Sequence, residues 1–229
     1  PARRGCPTAQ RARRHAEATL ATLRQINDAY FLEENDALWE NVANDIDNVR
    51  AAIAWSIEND RALAVQLVGA ARTLLITTGL LHEGRNLTDR TEPLLSDTTP
   101  PDVAAQFWRL GIDTLQIDAR DRSATAALKA VTLLRDGDPR HRAGALFQAI
   151  VLTSLPSATK ETLLLELRQA MEPTWPAHTR TWLLSAEAAV AWQRGDRLAA
   201  RNAYQQAVDL AQSSRWRAYV ATRLVATEQ

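Results

Sequence analysis

The chain has one cysteine, Cys6, in 229 residues. A single thiol cannot build an intramolecular disulfide framework or a multi-cysteine zinc site, and its natural setting is a reducing cytoplasm. Net charge is lacking as well: 27 Lys and Arg balance 27 Asp and Glu, giving a formal charge of +0 and a pI near 7.4. Without a basic excess there is no general attraction to phosphate backbones, so direct nucleic-acid binding by this chain is not expected. No apolar run approaches the roughly 20 residues of a membrane span. The arginine-rich opening PARRGCPTAQRARR has no apolar stretch behind it to make a secretory signal, so no membrane partner is expected. Lysine is nearly missing, at Lys129 and Lys160 only, while arginine and alanine abound, a bias typical of a GC-rich bacterial genome. The first residue is Pro1, not methionine, which reads as the start of a C-terminal fragment of a longer protein whose other part holds any activity.

Recognisable chemistry is also scarce. No Gly-rich phosphate loop of the Walker type occurs, so a nucleotide-hydrolysing module is expected outside this chain. His15, His82, His141 and His178 are widely separated and lack the i, i+4 pairing that presents two metal ligands on one helix face. Ser, His and Asp are present without a nucleophile-elbow sequence. Of Asp113, Asp118 and Asp121, the latter two fit helix capping and solvated turns. Asn86-Leu87-Thr88 matches a glycosylation sequon inside a predicted helix, where it carries no weight. No catalytic residue, metal or cofactor is expected, and the chain does not read as an enzyme.

What is present is helical periodicity. Hydrophobic residues make up 46% and charged residues 24%, enough apolar content for a packed core rather than a disordered tail. A first helix is predicted from Thr8 to Tyr30, with Leu20, Leu23 and Ile26 on one side. A second carries Leu38, Val42, Ile46, Val49, Ile53 and Ile57 at steps of three and four. After Asn59-Asp60 two apolar stripes appear, Leu63, Leu67, Ala70 and Leu74 on one and Ala64, Val68, Ala71 and Leu75 on the other. A helix with two stripes is buried against neighbours on both sides. Thr77-Thr78-Gly79 ends it, and Gly84 in the following helix fits a close helix crossing. Asp102 is placed to cap the next helix, in which Val103, Phe107, Leu110, Thr114 and Ile117 form one face. Further helices follow to a last one from about Ser214 to Thr227, broken at Asp136-Gly137-Asp138-Pro139, Leu155-Pro156 and Glu172 to Pro176.

A repeat is visible in the spacing. Ala130, Ala170 and Ala207 fall at equivalent places late in successive second helices, about 40 and 37 residues apart. Helical pairs of this kind cannot bury their apolar faces alone, so they stack into a surface suited to holding something else.

Thr181 to Ser214, with Gly195 in its turn and Ala200, Tyr204 and Ala207 in its second helix, resembles the tetratricopeptide repeat, although Glu187 stands where that family has a packed leucine. Ala104 to Gly137 resembles it through Phe107, Leu110-Gly111 and Ala130, with Asp118 in place of the turn glycine. The resemblance implies an all-α fold, a right-handed superhelical array of antiparallel helix pairs. On that reading residues 1–229 form a single helical-repeat domain: an N-terminal helical pair (1–60), about four degenerate repeats (61–214) and a capping helix (215–229). Residues 13 to 90 carry a second resemblance, through Asp47-Asn48-Val49-Arg50-Ala51-Ala52, Trp55 and Glu83-Gly84-Arg85. They look like the segment after the nucleotide-binding module in bacterial regulatory ATPases of the STAND type, which pair a DNA-binding domain with an ATPase and a C-terminal helical sensor. The resemblance implies a cytoplasmic, non-catalytic sensor domain of a transcriptional regulator.

In a tetratricopeptide stack the first helix of each pair lines a concave groove. That geometry predicts an apolar, aromatic lining of Trp108, Ile112, Leu115, Gln148, Leu152, Trp182, Ser185 and Trp192, with Gln66, Thr73 and Ile76 from the first pair. The expected occupant is an apolar small-molecule effector or a protein or peptide segment; the alternative is a scaffold for self-association or intramolecular docking with no small molecule. Arg72, Arg109 and Glu187 lie near inward or packed faces, where each must find a partner or reach solvent. Glu187 either orients a ligand or pairs with an arginine.

Overall fold

Apolar residues at steps of three and four fold into helices almost throughout. The computed structural model describes residues 7–32, 46–116, 118–211 and 214–226, and these contain twelve α-helices and no strand. The N-terminal pair is α1 (Pro7–Leu32) and α2 (Ile46–Asn59). Next come α3 (Arg61–Ala70), α4 (Arg72–Thr77) and α5 (Leu81–Thr91), the last extended by a short 3-10 turn over Glu92–Leu94. Three further pairs follow: α6 (Pro101–Leu115) with α7 (Arg120–Leu133), α8 (Pro139–Leu152) with α9 (Ser157–Ala170), and α10 (Ala177–Gln193) with α11 (Arg197–Leu210). Helix α12 (Ser214–Ala226) packs on α11. Leu38 and Val42, expected in the second helix, and Ile117 lie outside the described residues.

Local chemistry explains the breaks. Asp60, Asp138 and Asp196 precede helices, and their carboxylates accept from the backbone N–H of Leu63 (3.1 Å), Arg140 (2.7 Å) and Ala199 (3.0 Å). Gly79 and Gly195 take left-handed turns at φ 74° and 81°, where a β-carbon would be strained. Asp102 does not cap α6: Pro100 occupies that place without a side-chain bond, and Asp102 lies in the first turn, where its charge favours the helix N-terminus.

Packing arranges the helices in two sets. α3, α6, α8 and α10 contact one another in that order, making a continuous row, while α5, α7 and α9 each pack against the next member of the row. One apolar core runs from Ala16 and Leu23 in α1, through Leu67, Phe107, Ile112 and Leu146, to Trp182 and Val190 in α10. A smaller cluster of Ala188, Tyr204, Ala207 and Val220 holds α10, α11 and α12 together. Glycine sets the closest approaches. A β-carbon on Gly69 would lie 2.8 Å from the backbone nitrogen of Phe107, and one on Gly84 2.8 Å from Thr114 Cγ2.

Helix α1 departs from the simple row. Its 26 residues span about 39 Å at 1.5 Å per residue. Leu20 and Leu23 are buried on the side predicted for them, and α1 packs on α2, α3 and α4. Its last turn reaches α10, where Phe31 meets Trp182 edge-on at 5.9 Å, and the turn before α10, where it meets Trp175 at 5.4 Å. The helix therefore runs across the row as a strap.

The sequence run Asp47 to Ala52 and the segment Glu83-Gly84-Arg85 meet in space. Arg50 makes a two-pronged bond to Glu83, Nε to Oε1 at 2.8 Å and Nη2 to Oε2 at 2.6 Å, which holds the Glu83 carboxyl below the usual carboxylate range. Gly84 admits Thr114, and Arg85 bonds Asp118 across the α6–α7 turn. These residues join α2, α5, α6 and the turn that leads into α7.

Because backbone atoms cannot yield as a side-chain tip can, Gly69→Ala should force α3 and α6 apart. We expect a loss of about 1–3 kcal/mol, measured by the urea midpoint with unchanged slope.

Candidate functional site

The strap encloses a cavity of about 240 Å³ between the second half of α1 and the row. From α1 come Arg24, Asn27, Asp28, Tyr30 and Phe31; from α3 and α4, Gln66, Ala70, Arg72 and Thr73. α6 supplies Asp102, Val103, Gln106 and Arg109, the turn before α8 and its start supply Asp138, Arg140 and His141, and α10 supplies Trp182. The lining is amphipathic, not apolar: one wall is aromatic and the floor is guanidinium.

The floor is a buried polar network. Arg109 is 8% exposed and Asp113 4%. Arg72 Nε donates to Asp113 Oδ2 at 2.6 Å, Gln148 Nε2 donates to the same oxygen at 2.8 Å, and Gln148 Oε1 accepts from Arg109 Nε at 2.7 Å. Gln148 Nε2 also reaches the Arg109 carbonyl at 3.2 Å. Arg109 Nη1 donates to Gln106 Oε1 at 3.3 Å, and Nη2 has no hydrogen-bond partner among the described residues. Gly144 makes room for this guanidinium, since a β-carbon there would lie 2.5 Å from Nη2. Burial, reinforced by the neighbouring charge of Arg72, pushes Arg109 down to about 9, which leaves it charged at neutral pH. Burial and Arg109 also lower His141.

The wall is an aromatic cluster. Trp182 stacks on Phe147 at 5.6 Å with planes 18° apart and meets His178 edge-on at 5.8 Å. Arg140 lies 5.1 Å over the Phe31 ring. His178 hydrogen-bonds the Tyr30 backbone, leaves Nε2 unpartnered, and is held by burial at about 4. The strap is tied at two other points: Arg24 Nη2 donates to Gln66 at 2.8 Å and Asn27 Nδ2 to the Ala70 carbonyl at 3.0 Å.

The predicted groove residues fall in different places. Trp182, with Gln66 and Thr73, lines the cavity. Gln148 lies behind it and holds Arg109 and Asp113 in place. Ile112 and Leu115 are sealed in the core, Leu152 packs against the same core, and Ser185 is buried with its hydroxyl unpartnered. Trp108 is buried in the core away from the cavity, edge-on to Phe107 with Lys129 Nζ 3.7 Å over its ring, at the base of a shallow depression lined by Leu95, Ala104 and Leu128. Trp192 stands 40% exposed near the end of α10 beneath Arg197. Glu187 pairs with Arg168 at 2.8 Å on the α9–α10 face, the ion-pair alternative of its two readings.

Sequence periodicity did not reveal the strap, because Tyr30 and Phe31 meet their partners nearly 150 residues downstream. Arg72 and Arg109 did stand out as charges on packed faces. Among the described residues no group of three or more His, Cys, Asp or Glu is arranged to hold a metal ion, and no helix is long and apolar enough to cross a membrane.

The site makes stability depend on pH. His178 is neutral when folded and takes up a proton near 6.5 when unfolded, so between these values the unfolded chain binds more protons. Its contribution is fully present above 6.5 and lost as pH falls towards about 4, an expected loss of about 3 kcal/mol. Denaturant titrations across this window check it, and His178→Phe should flatten the profile.

Scans of family models, curated proteins and solved structures return no match to this chain.

Proposed function

We propose that this chain is a non-catalytic helical-repeat sensor domain of a bacterial transcriptional regulator, and that its effector occupies the cavity beneath α1. The fold on this reading is a right-handed superhelical array of tetratricopeptide type, with α3, α6, α8 and α10 as the inner helices. One observation carries the proposal: a single cavity draws side chains from six helices, including both the strap and the row. A ligand there touches α1 and the row at once, so its binding free energy depends on how the strap is seated. That dependence is what a sensor requires, because a ligand shifts an equilibrium only by its differential affinity for the two states. The resemblance of residues 13 to 90 to regulatory ATPases supports the regulator context.

The scaffold reading has an observation of its own. Trp192 and Leu198, 40% and 70% exposed, flank the α10–α11 turn and offer apolar surface for a second chain.

The test combines a thermal-shift screen of metabolite-sized compounds with hydrogen exchange. A ligand that raises the melting temperature should slow exchange in 24–31 and 103–109 together, and Trp182→Phe should weaken it while leaving the helical signal unchanged. If no compound protects these segments and sedimentation shows self-association abolished by Trp192→Ser with Leu198→Ser, the scaffold reading replaces the sensor.

A further inference from the structure

Resting on the cavity reading, we infer that the ligand is a small organic carboxylate with an apolar body and a hydrogen-bond donor, its anionic group held by Arg72, Arg109 and Gln106.

Charge counting comes first. Arg72 and Arg109 share one buried carboxylate, Asp113, so the floor carries a net positive charge that no described residue in contact with it neutralises. Asp113 is already engaged by Arg72 and Gln148, and Arg109 is held by neutral amide oxygens alone. An uncompensated buried charge is costly, and an anion accepting charge-assisted bonds relieves that cost.

Spare donors come second. Arg72 uses only Nε, leaving its terminal nitrogens without a partner among the described residues, and Arg109 Nη2 is likewise free. Gln106 Nε2 is buried without a partner. All three residues line the same cavity, from α4 and α6. Of these donors Gln106 Nε2 is the one fully sealed from solvent, and a buried donor left unpaired is uncommon in folded proteins and calls for a partner.

The remaining lining narrows the class. The floor's one surplus unit suits a monoanion; with Arg24 and Arg140 set against Asp28, Asp102 and Asp138, and Asp113 counted, the site as a whole is balanced and offers no second unit for a dianion such as a phosphate monoester. Tyr30, Phe31 and Trp182 accept an apolar body. Asn27 Oδ1, buried and unpartnered on the α1 side, calls for a donor such as a hydroxyl or amine on the ligand.

The probes are 3-phenyllactate and its neutral amide, which share body and hydroxyl and differ in charge, with phenyl phosphate as the dianionic arm, each titrated calorimetrically into the full chain. The carboxylate should bind at least tenfold more tightly than the amide and more tightly than the phosphate. Arg109→Met, which removes the buried charge but leaves the Gln148 and Gln106 carbonyls without their donor, should keep the helical signal and bind acid and amide alike. Gly144→Ala keeps the charge and displaces the guanidinium, and should cut the acid preference severalfold. Equal binding of acid and amide by the wild type, or a preference that survives Arg109→Met, overturns the inference and leaves the cavity as a binding site. Preference for the phosphate overturns the assignment to a monoanion. If neither acid nor amide saturates at tens of millimolar, the inference also fails, while the cavity reading still stands or falls by exchange protection from other compounds.

Discussion

A guanidinium buried without a carboxylate of its own is the constraint around which the centre of this molecule is organised. Removing Arg109 from water is unfavourable unless each N–H finds an acceptor and the charge finds a counterpart nearby. Four features answer that demand. Gly144 vacates the space its tip occupies, Gln148 on α8 accepts its Nε, Gln106 one turn earlier accepts Nη1, and Asp113 one turn later supplies the charge at one remove. Arg72 then competes for the same carboxylate. The network joins α4, α6 and α8, so two consecutive members of the row and the short helix that follows α3 are fixed in relative position by polar groups that tolerate little misalignment.

The strap makes a second constraint. Stacked helical repeats usually contact only their neighbours, so their stability is close to a sum of local terms. Here α1 ties α3 and α4 to α10 through Phe31, Trp175, His178 and Trp182, a link between distant parts of the chain. Beyond it, α11 and α12 rest on the smaller cluster around Tyr204 and Val220. Helices α10 and α11 pack closely, but among the described residues the apolar cluster that holds α12 is small, and local opening is expected to be easiest at α12.

Helices were legible in the sequence because their evidence is local. The stop at Gly79, the crossing at Gly84 and the turn at Gly195 each depend on neighbours within a few residues and are found where expected, and the two stripes are buried as expected, although the single helix they predicted is broken at Ala71 into α3 and α4. The resemblance to regulatory ATPases likewise rested on Arg50 and Glu83-Gly84-Arg85, and their role here is structural: ion pairs and a close crossing that join α2 to α5 and α5 to α6. The groove lining was less legible. Assigning inward positions needs the rotation of each helix about its own axis, and one residue of register turns a side chain by about 100°. Trp182 fell on the cavity side, while Ile112 and Leu115 turned into the core. The strap could not be read at all, since nothing near Phe31 in sequence announces Trp175 or Trp182.

These two constraints meet at one place. The strap closes over the same cavity whose floor is the Arg109 network, so an occupant that fills it meets both the guanidinium floor and the aromatic wall. Phe31 and Tyr30 on the strap supply the wall, and Arg72 and Arg109 the floor, so seating the strap and filling the cavity are coupled steps. An occupant that uses both stabilises the closed arrangement by its differential affinity, whereas one that touches the floor alone leaves the strap unbiased. On the proposed reading the signal is therefore carried by the aromatic half of the ligand, and the charged half determines which ligand is admitted.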